Sequence, residues 1–123
     1  MQYAILCYNS EATISAWTKE EDDACMTRLA VVQDSLIQRG KLGPVARLLP
    51  TTTATTLRKD HEPPLVIDGP FAETKEQLLG FYVVDAESLD EALDIARDLG
   101  RANPGGSYEI RPIGLYHPDP RRP

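Results

Sequence analysis

A chain of 123 residues, 41% hydrophobic and 26% charged, fits one domain with a modest core and lacks the composition of a disordered segment. Its net charge of −6 gives an acidic surface that repels phosphate backbones, and the basic pair Arg121–Arg122 is too small a patch to overcome that, so no nucleic-acid partner is expected. No run approaches the roughly 20 apolar residues of a membrane span. The opening Met1–Tyr8 is too short, with no basic lead, for a signal peptide. Cys7 follows Ala4-Ile5-Leu6 with no hydrophobic region ahead of it and reads as a strand residue. Cys7 and Cys25 form no CxxC or Cys/His spacing, and His61 and His117 lie far apart in loop-like surroundings. A cytoplasmic protein with no metal, no disulfide and no cofactor is expected.

The first strand is Gln2–Tyr8, apolar throughout. After a polar connection, Thr18 and Glu21 form a capping box that opens a helix. Cys25, Leu29, Val32 and Leu36 give that helix one apolar face, and Gly40 ends it. Leu42–Pro50 reads as extended or looped, broken by Pro44 and Pro50. Thr53–Lys59 and Pro64–Ile67 read as the two strands of a hairpin about the turn Asp60-His61-Glu62-Pro63. Asp68-Gly69-Pro70 breaks the pattern, and Phe71–Gln77 is a polar loop with one helical turn expected after Thr74.

A second unit repeats the first. Leu78–Asp85 is a strongly apolar strand. Ser88 and Glu91 read as another capping box, Leu89, Ala92, Leu93, Ala96 and Leu99 as a buried stripe, and Gly100 as the stop. Asn103-Pro104-Gly105-Gly106 is a turn, and Ser107–Ile113 the last strand. Residues 1–113 therefore form the domain and 114–123 a Pro-rich C-terminal tail.

Two strand–helix–strand units around an inserted β-hairpin predict an α+β fold of the ferredoxin-like split βαβ type. Right-handed crossovers put both helices on one face of an antiparallel sheet. A sheet with one face in water alternates apolar and polar residues, but Ala4–Tyr8 and Phe81–Val84 do not. Their second face needs a cover, and pairing of sheet faces in a homodimer supplies it. The alternative is that the hairpin folds back over that face.

The stretch DGPFAETKEQLLG, Asp68–Gly80, resembles the YCII-related proteins, specifically the branch named after its DGPF motif. Met1–Tyr8 is similar to that family's opening strand, Ser88–Ala92 to its second helix start and Ser107–Ile113 to its closing strand. The resemblance implies a ferredoxin-like dimeric α/β barrel, a fold shared with muconolactone isomerases and cofactor-free monooxygenases. Some YCII-like proteins carry a His–Asp pair in a pocket. That histidine falls on the first helix, which has none here between Thr18 and Gly40. Asp34 has no such partner, so the His–Asp mechanism does not carry over. The DGPF branch is often encoded beside extracytoplasmic-function sigma factors, which implies a regulatory association.

Asp68-Gly69-Pro70-Phe71 has a structural rationale as a turn with Phe71 as its anchor. Its functional reading puts Asp68 at a pocket mouth, where burial raises a carboxylate toward general-base duty. Glu73 and Lys75 belong to a mixed-charge run that reads as a solvated loop or a dimer-crossing ion pair; its functional reading has the Lys75 ammonium bind an anionic ligand. Arg111 alternates with Tyr108 and Ile110 and needs a carboxylate if its face is buried. Tyr8 is a core or interface aromatic, or a phenol that orients a ligand. The candidate site is thus Asp68 as catalytic residue, with Tyr8, Gly69, Pro70, Phe71, Glu73, Lys75 and Arg111 as ligand contacts. Three functions compete: binding or conversion of a small anionic molecule, regulation through a sigma-factor contact, and a purely structural role for the motif.

Overall fold

The computed structural model describes residues 1–119 and 121; Pro120, Arg122 and Pro123 of the tail lie outside the described residues. Eight residues of β1 (Gln2–Asn9) lead into a short α1 (Glu11–Ser15) and a long α2 (Lys19–Gln38), followed by β2 (Leu42–Arg47). A 3-10 turn (Thr51–Thr53) precedes the hairpin of β3 (Thr55–Arg58) and β4 (Leu65–Asp68). The chain then forms β5 (Gln77–Asp85), α3 (Leu89–Ala102) and β6 (Ser107–Pro112).

Four strands make one sheet in the order β2-β5-β1-β6, and every neighbouring pair is antiparallel. Each outer strand is therefore parallel to the strand that precedes it through a helix, with one antiparallel strand between them. Ile5 at the centre of β1 faces Tyr82 of β5 on one side and Ile110 of β6 on the other. The period of two sends Tyr3, Ile5, Tyr82 and Val84 to one face, where they meet Cys25, Leu29 and Leu36 of α2 and Ala92, Ile95, Ala96 and Leu99 of α3. This layer is the core; Ile5, Leu36, Val84 and Leu99 are its largest fully enclosed side chains.

The α2 capping box forms: Glu21 N donates to Thr18 Oγ1 at 3.0 Å, and Thr18 N to Glu21 Oε1 at 3.2 Å. At its other end Gly40 takes φ +69°, which lets Lys41 N donate to Leu36 O at 2.8 Å and close the helix. In α3, Ser88 Oγ accepts from Glu91 N at 3.2 Å, while the Glu91 carboxylate pairs with Lys41 Nζ at 2.8 Å and ties the second helix to the end of the first.

Three expectations are corrected. Gly100 does not stop α3, which runs on to Ala102. A glycine costs a helix only about 1 kcal/mol, and the burial of Leu99 and Ala102 outweighs that. Pro104 and the positive φ of Gly105 and Gly106 turn the chain instead. No helical turn follows Thr74; its hydroxyl donates to Glu76 O and its carbonyl accepts from Gln77 Nε2, holding a bend. The polar connection after β1 contains α1, capped by Ser10 Oγ accepting from Thr13 N, so there are three α-helices rather than two. Of the two readings of Leu42–Pro50, the extended one holds over Leu42–Arg47, where Pro44 is accommodated because the strand lies at the sheet edge and its register shifts between Leu42 and Val45.

The hairpin β3–β4 forms its own two-stranded sheet. It leaves Leu57, Leu65, Val66 and Ile67 exposed, so it buries none of its own large apolar side chains. On the helix-free face of the main sheet, Tyr116 of the tail comes close instead. Its Oη lies 3.3 Å, and Val83 Cβ 3.5 Å, from where a β-carbon on Gly43 would stand.

Candidate functional site

Residues between β1 and α2 fold back across the end of the sheet. Ser10 starts α1 and Glu11 N is held by Gln77 Oε1 at 2.9 Å, which anchors the segment to the first residue of β5. The Glu11 carboxylate then accepts from Thr51 N at 2.8 Å and from Thr51 Oγ1, fastening the chain beyond β2 to the same corner. Between these fastenings a cleft opens, with α1 and the start of α2 on one side and β2, β5 and Leu48–Pro50 on the other.

The cleft has two chambers. The outer one measures about 530 Å³ and is walled by Ile14, Trp17, Leu48, Leu49 and Pro50, with Thr18 and Lys19 at its rim. The inner one measures about 130 Å³ and reaches Cys7, Cys25, Leu29, Gln33, Gly80 and Tyr82. Ile14, Trp17, Asp22, Arg47 and Leu79 border both. At that boundary Arg47 Nη2 lies 3.2 Å from Asp22 Oδ1, and Arg47 Nη1 lies 3.6 Å from Met26 Sδ.

Charges around the outer chamber balance: Glu11 and Asp22 against Lys19 and Arg47. The inner chamber beyond Asp22 and Arg47 holds groups that stay neutral near neutral pH. Burial pushes the Cys7 thiol up to about 12. Burial also raises the Cys25 thiol, against the opposing charge of Arg28. The Tyr82 phenol is raised by burial as well, with a hydrogen bond from Gln33 opposing. Cys25 Sγ donates to Asn103 Oδ1 at 3.3 Å.

The eight residues singled out from the sequence stand elsewhere; none lines this cleft. Asp68 ends β4 opposite Thr55 and is exposed. Gly69 takes φ +113°; its N–H donates to Ala54 O at 2.8 Å and its carbonyl accepts from Thr56 Oγ1 at 2.9 Å. With Pro70 it forms the turn that closes the hairpin base. Phe71 is 76% exposed and lies 5.5 Å beneath the Arg58 guanidinium, so it anchors an arginine rather than the core. Glu73 and Lys75 are exposed in the loop that follows. Tyr8 and Arg111 sit on β1 and β6 opposite Ser107 and Ala4, at positions that alternate with the core residues Ile5 and Ile110. The motif is thus gathered at the hairpin base, apart from Tyr8 and Arg111.

Trp17, Asp22, Gln33 and Arg47 had no sequence signal beyond Trp17 being the single tryptophan. Asp22 and Arg47 are 25 positions apart, and only the return of β2 beside α2 joins them. Among the described residues, no group of three or more His, Cys, Asp or Glu side chains is placed to hold a metal. No described helix is long and apolar enough to cross a membrane.

An α+β protein with a two-chambered, largely apolar cleft beside an antiparallel sheet is the class that this geometry defines. The chain belongs to the YCII-related family, whose domain profile matches residues 1–115. It is also similar to an uncharacterised protein of Rhizobium meliloti (strain 1021), 63% identical over 119 residues that cover 96% of each chain.

Proposed function

We propose that this protein binds a small, mainly apolar molecule in the cleft between α1–α2 and β2–β5. The observation that carries this reading is the cleft itself. Its outer chamber of about 530 Å³ has apolar walls with a few polar groups at the rim, and small-molecule sites typically measure about 300–1,000 Å³. The balanced charges of the lining favour an uncharged ligand over the anionic one suggested by Lys75 and Arg111. The exposure of Asp68 and Lys75 likewise favours the cleft over the DGPF turn. A thermal-shift screen of small molecules tests it. A ligand at about 100 times its Kd adds about 2.7 kcal/mol to stability, and compounds that act through the cleft lose their effect in Ile14→Trp, which fills it. Compounds that shift both proteins equally would move the site elsewhere.

We propose further that the fold is ferredoxin-like, that the chain lies in the DGPF-motif branch, and that it works as a homodimer. The strand order β2-β5-β1-β6 is the order such a split βαβ sheet requires. Ala4, Leu6, Phe81 and Val83 alternate with the core residues of β1 and β5, so the face without helices is apolar too. The hairpin adds exposed Leu57, Leu65, Val66 and Ile67, a surface suited to protein contact. A sigma-factor partner would find its apolar contacts there. Light scattering should give twice the 13.6 kDa chain mass; a single-chain mass at micromolar concentration would remove the dimer.

A further inference from the structure

We propose that the inner chamber is a subsite for one ring-sized, uncharged group bearing a hydrogen-bonding substituent, of which a phenol is the simplest example. This rests on the reading of the cleft as a ligand site and assigns which end of the ligand enters first. Size is the first argument. The inner chamber measures about 130 Å³, close to the roughly 150 Å³ of an engineered apolar cavity that stays dry and binds benzene. One six-membered ring fills that volume, and the larger remainder of the ligand occupies the outer chamber beside Trp17 and Leu49.

Chemistry is the second argument. Cys7, Leu29 and Gly80 give the inner chamber apolar walls, and Gln33 and Tyr82 are the uncharged polar side chains that line it beside Asn103. The Gln33 amide lies near enough to the Tyr82 phenol to oppose the effect of its burial, and a primary amide has two donors and a carbonyl oxygen, so capacity remains for a ligand hydroxyl or carbonyl. Among the described residues Arg47 is the one cation in the lining of the inner chamber, and it is already paired with Asp22; Arg28 acts on Cys25 from outside the lining, with its Nε–H donated to Ala102 O. A carboxylate entering here would lose its hydration without gaining a counter-charge. A hydroxyl loses less and regains its hydrogen bonds.

Trp17, the only tryptophan, borders both chambers and reports on occupancy by its emission. Toluene, phenol and sodium benzoate, three single-ring probes, are titrated at neutral pH into the wild-type protein and Gln33→Leu. Phenol should bind more tightly than benzoate, and Gln33→Leu should lower the phenol-to-toluene affinity ratio about five-fold, the loss of one neutral hydrogen bond. Tyr82→Phe, which removes a single oxygen, makes the same test should Gln33→Leu fail to fold. Benzoate binding as tightly as phenol would overturn the subsite and show a ligand carboxylate displacing Asp22 from Arg47. An unchanged phenol-to-toluene ratio in the variants would overturn it as well, with toluene binding leaving the cleft intact as a ligand site. No response to any of the three probes would overturn the cleft reading and the subsite together.

Discussion

Gly80 and Gly100 should respond to the same substitution with opposite signs. Gly80 is buried in β5 between Cys7 of β1 and Arg47 of β2. A β-carbon there would stand 2.3 Å from Ala46 O and 3.2 Å from the Arg47 Cα. Carbon–oxygen contacts between strands normally settle at about 3.3–3.6 Å, so Gly80→Ala forces β2 outward by about 1 Å. That shift strains the ladder and the Leu48 N to Leu79 O bond of 2.8 Å. Overpacking of this kind costs about 1–3 kcal/mol, offset by about 0.4–1 kcal/mol from the stiffer unfolded chain. A net loss of about 1–2 kcal/mol lowers Tm by roughly 4–10 °C in a domain of this size. Gly100, in the last turn of α3, has as its nearest neighbour Tyr108 Cε2 at 3.8 Å, an ordinary contact. Gly100→Ala therefore gains helix propensity, about 0.5–1 kcal/mol, and raises Tm by a few degrees. Circular dichroism melts of both variants against wild type give the answer. If Gly80→Ala melts at or above the wild-type temperature, the close approach of β2 to β5 is wrong, and with it the wall of the inner chamber.

Leu36→Ala empties a site with no solvent exposure and should cost about 2–5 kcal/mol in urea unfolding; a loss under about 1 kcal/mol would mean that α2 does not seat as described. The Lys41 ammonium is held above its ordinary 10.5 by its hydrogen bond to Glu91. Its contribution is complete below that value and fades as pH rises through the raised one. The gap in urea midpoint between wild type and Lys41→Met should stay constant near neutral pH and shrink in strong alkali; a gap that widens there reverses the sign. Cys7, pushed from 9.0 to about 12 by burial, exposes about a thousand-fold less thiolate than a free cysteine at mildly alkaline pH. Iodoacetamide should therefore label Cys7, half-buried in the wall of the inner chamber, far more slowly than a free thiol at the same pH, and labelling at free-thiol rates would contradict the raised value.

Local chemistry carried much of the architecture. Thr18 and Glu21 can cap only the helix that follows them, and Gly40 needs a positive φ whatever lies around it, so both ends of α2 were legible. The unbroken apolar runs of β1 and β5 marked the two central strands of the sheet. Short-range signals fail where a few residues balance against distant burial. The five residues of α1 are too few to show a period, and Gly100 stays helical because Leu99 and Ala102 are buried against other elements.

The cleft was not legible for the same reason. Asp68–Phe71 stands out because Asp, Gly and Pro each impose a backbone preference, and the structure uses those preferences to close a hairpin. Arg47 and Asp22 meet only once β2 returns beside α2. The balanced charges of the outer chamber belong to side chains drawn from α1, α2 and β2. By itself the sequence determined the element types, most of their ends and the doubled order of strand and helix, because those follow from capping, periodicity and turn residues within a few positions. Which side chains share a cavity was decided by tertiary structure alone, because that depends on strand order and helix seating, which no local preference encodes.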